Sequence, residues 1–313
     1  MMCSDVTLLV TAMTLLLLAP SLSQASGIDE RRSTDSRRDH ADARRDHADA
    51  GRDHADAPGP VCTLGMYNDT NAVWACRAVD ALQNNWFPSP IAGLYSYLDW
   101  NGFDGFWQNG VVLETLANFA AYTRSRRYES VLLAAWRSLE ELLHAYFPLP
   151  SCDDELWFAL AFARIYEVTG QVRFLNTSQQ LLNFTWHTCW DFTGTCSGGM
   201  FFGDGHRIKI TITNAQTLLL AAKLYRLTSH DEHLHQALQV AAYLTNNQVL
   251  HADSHLVSDE LDVTSCQPNA RTNYSYNAGM TLAGLTELYK STNRTSVLQL
   301  AHAVARKHRA PVA

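Results

Sequence analysis

The chain has 313 residues, 47% of them hydrophobic, which is enough for one large domain or two small ones with a proper core. Its net charge is −7 and no basic patch stands out, so the composition argues against a nucleic-acid partner. Eight Trp, twelve Tyr and twelve Phe residues supply flat faces that suit sugars, although the same side chains also fill helical cores.

The N-terminus is typical of a secretory signal peptide. Its apolar run, "VTLLVTAMTLLLLAP", is shorter than the roughly 20 residues that a membrane span needs. The following "SLSQAS" places Ser23 and Ala25 at the −3 and −1 positions of a cleavage site. We therefore predict a signal peptide over residues 1–25 and a secreted protein that is free of the membrane after cleavage. Because no Lys or Arg precedes the apolar run, an uncleaved anchor is the alternative.

Residues 26–60 contain a seven-residue unit repeated three times, "RRDHADARRDHADAGRDHADA". Ala is its only apolar residue, so nothing in the repeat could drive coiled-coil association, and the mixed charges predict a disordered, solvated linker. His40, His47 and His54 could instead bind a metal loosely, but the chain has no C-x-x-C zinc spacing. We predict no metal and no cofactor.

Six cysteines lie beyond the signal peptide, and an oxidising compartment favours disulfides among them, although spacing alone leaves 15 pairings open. These cysteines are Cys62, Cys76, Cys152, Cys189, Cys196 and Cys266. Five N-x-S/T sequons also predict a glycoprotein. The sequons begin at Asn68, Asn176, Asn183, Asn273 and Asn293.

From residue 61 to residue 313 the sequence predicts one all-α domain. Apolar residues recur at helical spacing in about nine segments, and no alternating strand pattern is convincing. A sequence motif, the Tyr-Thr motif, recurs with variation in "ARIYEVTGQVRFLNTS", "AKLYRLTSHDEHLHQA" and "TELYKSTNRTSVLQLA". Each copy predicts a helix ending in Tyr and Thr, a short polar turn, and then a new helix. Because one helix of each hairpin is apolar almost all round, we predict a double ring, with a pit where the inner helix ends converge.

The segment "SCDDELWFAL", residues 151–160, puts three acids in front of an apolar helix, and two interpretations are open. Ser151 and Asp154 have capping-box spacing, and acids in a first turn are stabilised by the helix dipole. Alternatively, two carboxyl groups at the end of an inner helix would face the pit. Retaining glycoside hydrolysis uses two carboxyl groups ~5–5.5 Å apart, a spacing that adjacent residues can reach.

This segment also resembles the Asp-Asp motif of glycoside hydrolase family 76, which contains α-1,6-mannanases and related fungal wall enzymes. Four further segments are similar to family motifs and occur in the family's order. They are "FWQNGVVLETLANFAAYT", "CWDFTGTCSGGMFF", "IKITITNAQTLLLAAKLYRLT" and "CQPNARTNYSYNAGM". The resemblance implies an (α/α)6 barrel of helical hairpins, in agreement with the double ring. Because fewer than twelve helices are predicted, we expect the ring to be incomplete at its C-terminus.

By position, Asp153 matches the family's expected nucleophile and Asp154 matches its acid/base. The resemblance therefore implies retaining, two-step attack on α-1,6-mannosidic bonds of a polysaccharide, within the chain, by a monomer. Glu155 falls where the family varies, and we interpret it as a capping acid.

Beyond the carboxyl pair, the resemblance implies a cleft lined by aromatic and amide side chains. Core packing is the alternative for the two tryptophans, and an N-cap role is the alternative for Asn214. The implied substrate-binding residues are Trp107, Gln108, Trp157, Asn214, Tyr276 and Asn277.

The glycine-rich motif loop carries supporting predictions. Asp191 is expected to be structural, and Gly198 and Gly199 would let the backbone approach the sugar closely. Cys196 and Cys266 lie in two motif loops and could bridge them.

The sequence thus predicts a secreted glycoside hydrolase acting on α-1,6-linked mannan. Ile210 and Phe202 stand where the family usually has Asn and Trp, and either change could reshape a sugar subsite. Two alternatives stay open: a non-catalytic mannan-binding relative, and a transglycosylase that remodels wall or anchor glycans.

Overall fold

The computed structural model describes residues 62–63, 69–87, 107–146, 151–203, 205–269 and 273–308, with side chains omitted for 138–146. The predicted signal peptide (1–25), the predicted linker (26–60) and its three histidines lie outside the described residues.

Nine α-helices occur in these described ranges, as the apolar periodicity predicted. They are α1 (Thr70–Trp86), α2 (Trp107–Thr123), α3 (Glu129–Tyr146), α4 (Cys152–Thr169), α5 (Val172–Cys189), α6 (Thr211–Thr228), α7 (Asp231–Asn246), α8 (Ser275–Thr292) and α9 (Thr295–His308).

The helices alternate between an inner and an outer layer. The even-numbered helices α2, α4 and α6 are buried on nearly every side, and α4 packs against both α2 and α6, which in turn packs against α8. Helices α5, α7 and α9 are amphipathic and each packs against the inner helix that precedes it. This is the predicted (α/α) barrel arrangement. Because each hairpin returns the chain to the same side, the N-termini of the inner helices lie at one end of the barrel.

The three copies of the Tyr-Thr motif have the same local structure. In each, the residue after the inner helix has left-handed backbone, and its N–H donates to the carbonyl of the tyrosine four residues earlier, at 2.7–2.8 Å. Gly170 fills this position after α4, whereas Ser229 and Asn293 fill it after α6 and α8. The threonine that precedes this left-handed residue donates its hydroxyl to a main-chain carbonyl one turn earlier. Each copy of the motif therefore ends its helix with the same hydrogen bonds.

The prediction that the domain lacks strands was wrong in one place. A small antiparallel sheet joins β1 (Lys209–Ile210), β2 (Glu260–Asp262) and β3 (Gln267–Pro268) in that order, with Lys209 opposite Leu261. Strands of two or three residues are too short to produce a detectable alternating pattern. The sheet fixes the segment that leads into α6.

Three disulfides connect the cysteines as Cys62–Cys76, Cys152–Cys189 and Cys196–Cys266. The third confirms the predicted bridge between the two motif loops. The second ties the first residue of α4 to the last residue of α5, so it holds the acidic end of α4.

A cluster of ion pairs joins the inner helices near their C-terminal ends. Glu167 of α4 accepts from Lys223 at 3.1 Å and from Arg226 at 2.5 Å, and Arg226 also pairs with Glu287 of α8. Burial alone would raise the pKa of Glu167, but the charges of Lys223, Arg164 and Arg226 outweigh it and lower the pKa to about 2.

In the part of the chain that the structure describes, every helix is too short or too polar to cross a lipid bilayer.

The Glu167 cluster predicts a pH-dependent contribution to stability. The folded-state pKa is depressed below the ordinary 4.5, so the stabilisation is present above pH 4.5 and is lost as the pH falls towards 2. Glu167→Gln should lower the free energy of unfolding at pH 7 by about 3–5 kcal/mol, because it leaves Lys223 and Arg164 without their carboxylate and Arg226 with Glu287 alone.

Urea denaturation of both proteins at pH 7 and pH 3 checks this, with Glu129→Gln as control. Glu129 pairs with the exposed Arg126, so its loss should change little. Equal effects of the two substitutions would contradict the assigned role of the cluster.

Candidate active site

The first turn of α4 is anchored to a neighbouring loop. Ser151 is the N-cap residue, but its side chain makes no capping hydrogen bond, so the predicted capping box does not form. Instead, the N–H of Cys152 donates to the carbonyl of Phe202 at 2.8 Å. This bond and the Cys152–Cys189 disulfide both fix Cys152, the residue directly before the aspartate pair.

Asp153 and Asp154 are both half-buried in this first turn, so neither lies along the open surface. Burial raises the pKa of Asp153, while hydrogen bonds from Ser151 and from main-chain N–H groups oppose the rise. One of its carboxylate oxygens, Oδ1, is buried without a protein hydrogen-bond partner. A buried carboxyl group with a raised pKa and an unbonded oxygen is a candidate catalytic group.

Glu155, which the sequence suggested as a capping acid, is in the first turn of α4, but its side chain is only 1% exposed. It is buried because other helices surround α4. Three acids in a row on an inner helix cannot all face solvent.

Two tryptophans stack beside the aspartates. The rings of Trp107 on α2 and Trp157 on α4 have centroids 5.6 Å apart and are inclined by 29°. Both rings are half-buried, and Gln108 next to them has a buried Oε1 without a protein partner. Gly110 allows this approach, because a Cβ there would lie 2.9 Å from the backbone of Trp157. The structure therefore brings Trp107, Gln108 and Trp157 to the same barrel end as Asp153.

A buried lysine organises the loop that holds α4. Lys209 is fully buried, and its Nζ donates to Asp191 Oδ2 at 2.6 Å and to the carbonyls of Thr195 and Gly198 at 2.7 Å. Burial acts to raise the pKa of Asp191, but hydrogen bonds from Lys209 and Thr193 outweigh it and the pKa is lowered. The expected structural role of Asp191 agrees with this position.

Gly198 and Gly199 pack against aromatic rings. A Cβ at Gly198 would lie 2.7 Å from the ring of Trp190, and one at Gly199 would lie 2.5 Å from the ring of Tyr243. Both residues have positive φ, at 90° and 98°. The glycines thus let the loop pack on two aromatic side chains, and their approach to a sugar stays a prediction.

The position of Asn214 argues against its predicted contact with a mannose hydroxyl. The side chain is 0% exposed, and its amide accepts from the N–H of Met200 at 2.7 Å and donates to the carbonyls of Met200 and Ile210. These bonds join the glycine-rich loop to the start of α6. Asn214 is therefore a support for the loop and not an N-cap, a position that Ile210 occupies.

Tyr276 and Asn277 begin α8 at the same barrel end. The Tyr276 hydroxyl and the Asn277 amide both donate to Asp259 Oδ1, at 3.1 and 2.8 Å. Tyr276 is exposed and stacks on Tyr274 with centroids 5.3 Å apart. Burial of the hydroxyl and the charge of Asp259 raise the pKa of Tyr276, so this hydroxyl stays protonated.

Phe202, one of the two departures from the family pattern, is 38% exposed, directly beside the start of α4. An exposed aromatic ring is thus retained where Trp is usual. Ile210 is half-buried in β1 and carries the carbonyl that Asn214 holds.

Sequence reasoning missed three supporting residues: Lys209, Asp259 and Gln216. A lysine inside the apolar string "IKITI" is a signal that could have identified Lys209, because a buried charge needs a partner. Asp259 and Gln216 gave no local signal, since their partners are 18 and 63 residues away in the chain.

Among the residues that the structure describes, one group of ligand atoms is close enough to hold a metal ion: Cys62, Cys76 and Asp80. Its two sulfurs are joined in a disulfide and are therefore not thiolate ligands.

Inner helices enclosed by outer helices, with adjacent carboxyl groups at one barrel end, define an (α/α)-barrel protein of the glycosidase type. The chain belongs to glycosyl hydrolase family 76, whose family model matches residues 100–310. It is 31% identical over 133 residues to a mannan endo-1,6-alpha-mannosidase of Saccharomyces cerevisiae, covering 40% of this chain and 29% of that protein. A Schizosaccharomyces pombe relative matches at 29% identity over 210 residues, 62% of this chain and 47% of the relative.

Solved structures share the fold. The α-1,6-mannanase GH76A of a Salegentibacter species superposes with a TM-score of 0.68 at 20% identity, covering 77% of this chain and 71% of that one. Dfg5 of Chaetomium thermophilum, solved with glucosamine, gives 0.62 at 19% identity, covering 76% and 62%. The chain spans less than half the length of the curated relatives it matches.

The loop glycines predict a position-specific cost of adding a methyl group. Gly199→Ala should destabilise the protein through left-handed backbone, about 1–2 kcal/mol, and through the collision with Tyr243, about 1–3 kcal/mol more.

Thermal unfolding of Gly194→Ala is the matched control. Gly194 also has positive φ, at 77°, but a Cβ there meets nothing within 4 Å. Only the backbone cost should appear in that variant, and equal losses at the two positions would refute the packing role of Gly199.

Proposed function

We propose that this protein hydrolyses α-1,6-mannosidic bonds with Asp153 and Asp154 as its two working carboxyl groups. The observation that carries the proposal is the half-buried pair at the start of an inner helix, beside the stacked Trp107 and Trp157. The Salegentibacter mannanase is inactive when two consecutive aspartates are replaced, and those variants bind α-1,6-mannotetrose and α-1,6-mannotriose. Asp153 and Asp154 are the single pair of consecutive aspartates in this sequence.

The proposed reaction has two steps. Asp153 attacks the anomeric carbon while Asp154 gives its proton to the departing glycosidic oxygen, so that one C–O bond breaks as another forms. Asp154, now a carboxylate, removes a proton from water, and the resulting hydroxyl displaces Asp153 with return of the original configuration. The fragment that departs in the first step keeps the glycosidic oxygen as a hydroxyl at its new non-reducing end, and the second step releases the other fragment with a new reducing end.

The aromatic side chains around the pair supply the sugar contacts in this proposal. The faces of Trp107 and Trp157 and the exposed rings of Phe202 and Tyr276 suit the apolar faces of pyranose rings. Asn277, held by Asp259, orients the start of α8 against this cleft.

We further propose that the protein is secreted as a monomer, after removal of residues 1–25, with a flexible linker over 26–60 and the catalytic domain over 61–313. The three disulfides favour an oxidising compartment. The four sequon asparagines in the described residues, Asn176, Asn183, Asn273 and Asn293, are all exposed and accessible to glycosylation.

Replacement of Asp153 distinguishes a catalytic acid from a helix-stabilising one. Asp153→Asn should lower the release of reducing ends from unbranched α-1,6-mannan by at least about a hundredfold, because the attacking carboxylate is lost. Asp231→Asn is the matched control: Asp231 is also in the first turn of a helix, but on the exposed outer α7.

Asp231→Asn should keep full activity. Undiminished cleavage by Asp153→Asn would overturn the proposal, and binding of mannan without turnover by the wild type would favour a non-catalytic relative instead. Transfer products formed with an acceptor sugar would identify a transglycosylase.

The roles within the pair need a separate test, because the raised pKa of Asp153 would also suit a proton donor. A lost proton donor matters little for a substrate whose leaving group needs no proton. Asp154→Ala should therefore lose activity on mannan but still release nitrophenol from a nitrophenyl mannoside in a fast first turnover, followed by slow steady-state turnover because the base of the second step is missing, whereas Asp153→Ala should lose both phases. The reverse pattern would exchange the two roles.

A further inference from the structure

Several buried oxygens on the inner helices have no hydrogen-bond partner within the protein. Buried polar atoms are nearly always bonded, and those that lack protein partners generally bind ordered water. The atoms concerned are Gln108 Oε1, Asp153 Oδ1, Thr213 Oγ1, Gln216 Oε1, Asn277 Oδ1 and Thr281 Oγ1.

These atoms belong to one end of the barrel. All six residues lie in the first two turns of α2, α4, α6 or α8. Thr213 and Gln216 are three residues apart on α6, and Asn277 and Thr281 are four apart on α8, so each pair shares a helix face. Helix α6 packs between α4 and α8, and Gly284 lets α8 approach α6 closely. The unsatisfied atoms thus lie at the same end of neighbouring helices.

Gln216 is the member of this set that contacts the aspartate turn. Its side chain is 0% exposed, and Nε2 donates to the main-chain carbonyl of Asp153 at 3.4 Å. The carbonyl belongs to the same residue whose Oδ1 is buried without a protein partner. Burial of a long polar side chain is costly unless its polar atoms are bonded, so a role other than packing is expected for Gln216.

We propose that Gln216 is a positioning residue for Asp153, acting from an enclosed, hydrated polar chamber between α4, α6 and α8. Its Nε2 holds the first turn of α4 through the Asp153 carbonyl, and its Oε1 accepts from a water of the chamber. Thr213 and Thr281 line the same chamber and bind the neighbouring waters. The role of Asp153 as a reacting carboxyl rests on the proposed function, whereas the chamber itself does not.

The kinetic test removes both polar atoms at constant bulk. Gln216→Leu should lower kcat on α-1,6-mannan by about tenfold or more, because sub-ångström displacement of a reacting group is costly. KM should stay within about threefold, since the sugar-contacting side chains are untouched.

Gln236→Leu is the matched control. Gln236 is also a buried glutamine, 3% exposed, but it lies on the outer α7 and contacts His233. It should lower Tm at least as much as Gln216→Leu while kcat is unchanged. A wild-type kcat for folded Gln216→Leu, or losses of kcat that follow Tm equally in both variants, would overturn the proposal.

A crystal structure of the wild-type protein tests the chamber independently of enzymatic activity and of the stability of any variant. The proposal requires an ordered water hydrogen-bonded to Gln216 Oε1 and a second water on Thr213 or Thr281. A dry chamber would overturn it. If the wild-type protein cleaved no mannan but contained these waters, the proposed function would be wrong and the hydrated chamber would be confirmed.

Discussion

The buried bond between Lys209 and Asp191 is the contact on which the candidate site depends. Lys209 also holds two carbonyls of the glycine-rich loop, so one ammonium group fixes the loop in three places. The loop continues to Phe202, whose carbonyl receives the first N–H of α4. The position of Asp153 therefore depends, through the loop and Phe202, on a charge buried on β1, where such a charge cannot be left unpaired.

The two ends of the inner helices have opposite characters. At their C-terminal ends, Glu167 and Glu287 are each paired with cations from neighbouring helices, and the barrel is clamped. At their N-terminal ends, polar atoms are buried without protein partners and the carboxyl group of Asp153 has a raised pKa. The ion-pair cluster of the inner helices thus lies at one end, and the incompletely satisfied groups that chemistry needs lie at the other.

Much of the fold could be predicted because its signals are local. The apolar periodicity of the inner helices and the repeated Tyr-Thr motif each act within one or two turns, and both have the expected structural consequence. Gly170 likewise acts locally, at the turn that ends α4. The place of Asp153 near Trp157 follows from the same helical spacing. The bridge between Cys196 and Cys266 came from the family motifs rather than from local pattern.

The errors have a common physical origin. Asn214 and the loop glycines were assigned to the sugar because they match family motifs, but packing contacts also use them: Asn214 bonds Met200, and Gly199 admits Tyr243. Asp259 and Gln216 could not be found, because their partners are set by how helices pack and not by sequence neighbours. The burial of Glu155 could not be predicted either, because it depends on the layers around α4.

The central claim is that adjacent carboxyl groups at the start of α4 carry out a double displacement. Nuclear magnetic resonance of the first sugar released from unbranched α-1,6-mannan, recorded before the anomers interconvert, tests it most directly. We predict that the α-anomer is formed first, because two inversions at the anomeric carbon restore its configuration. Initial release of the β-anomer would contradict the account, since it would require a single displacement by water.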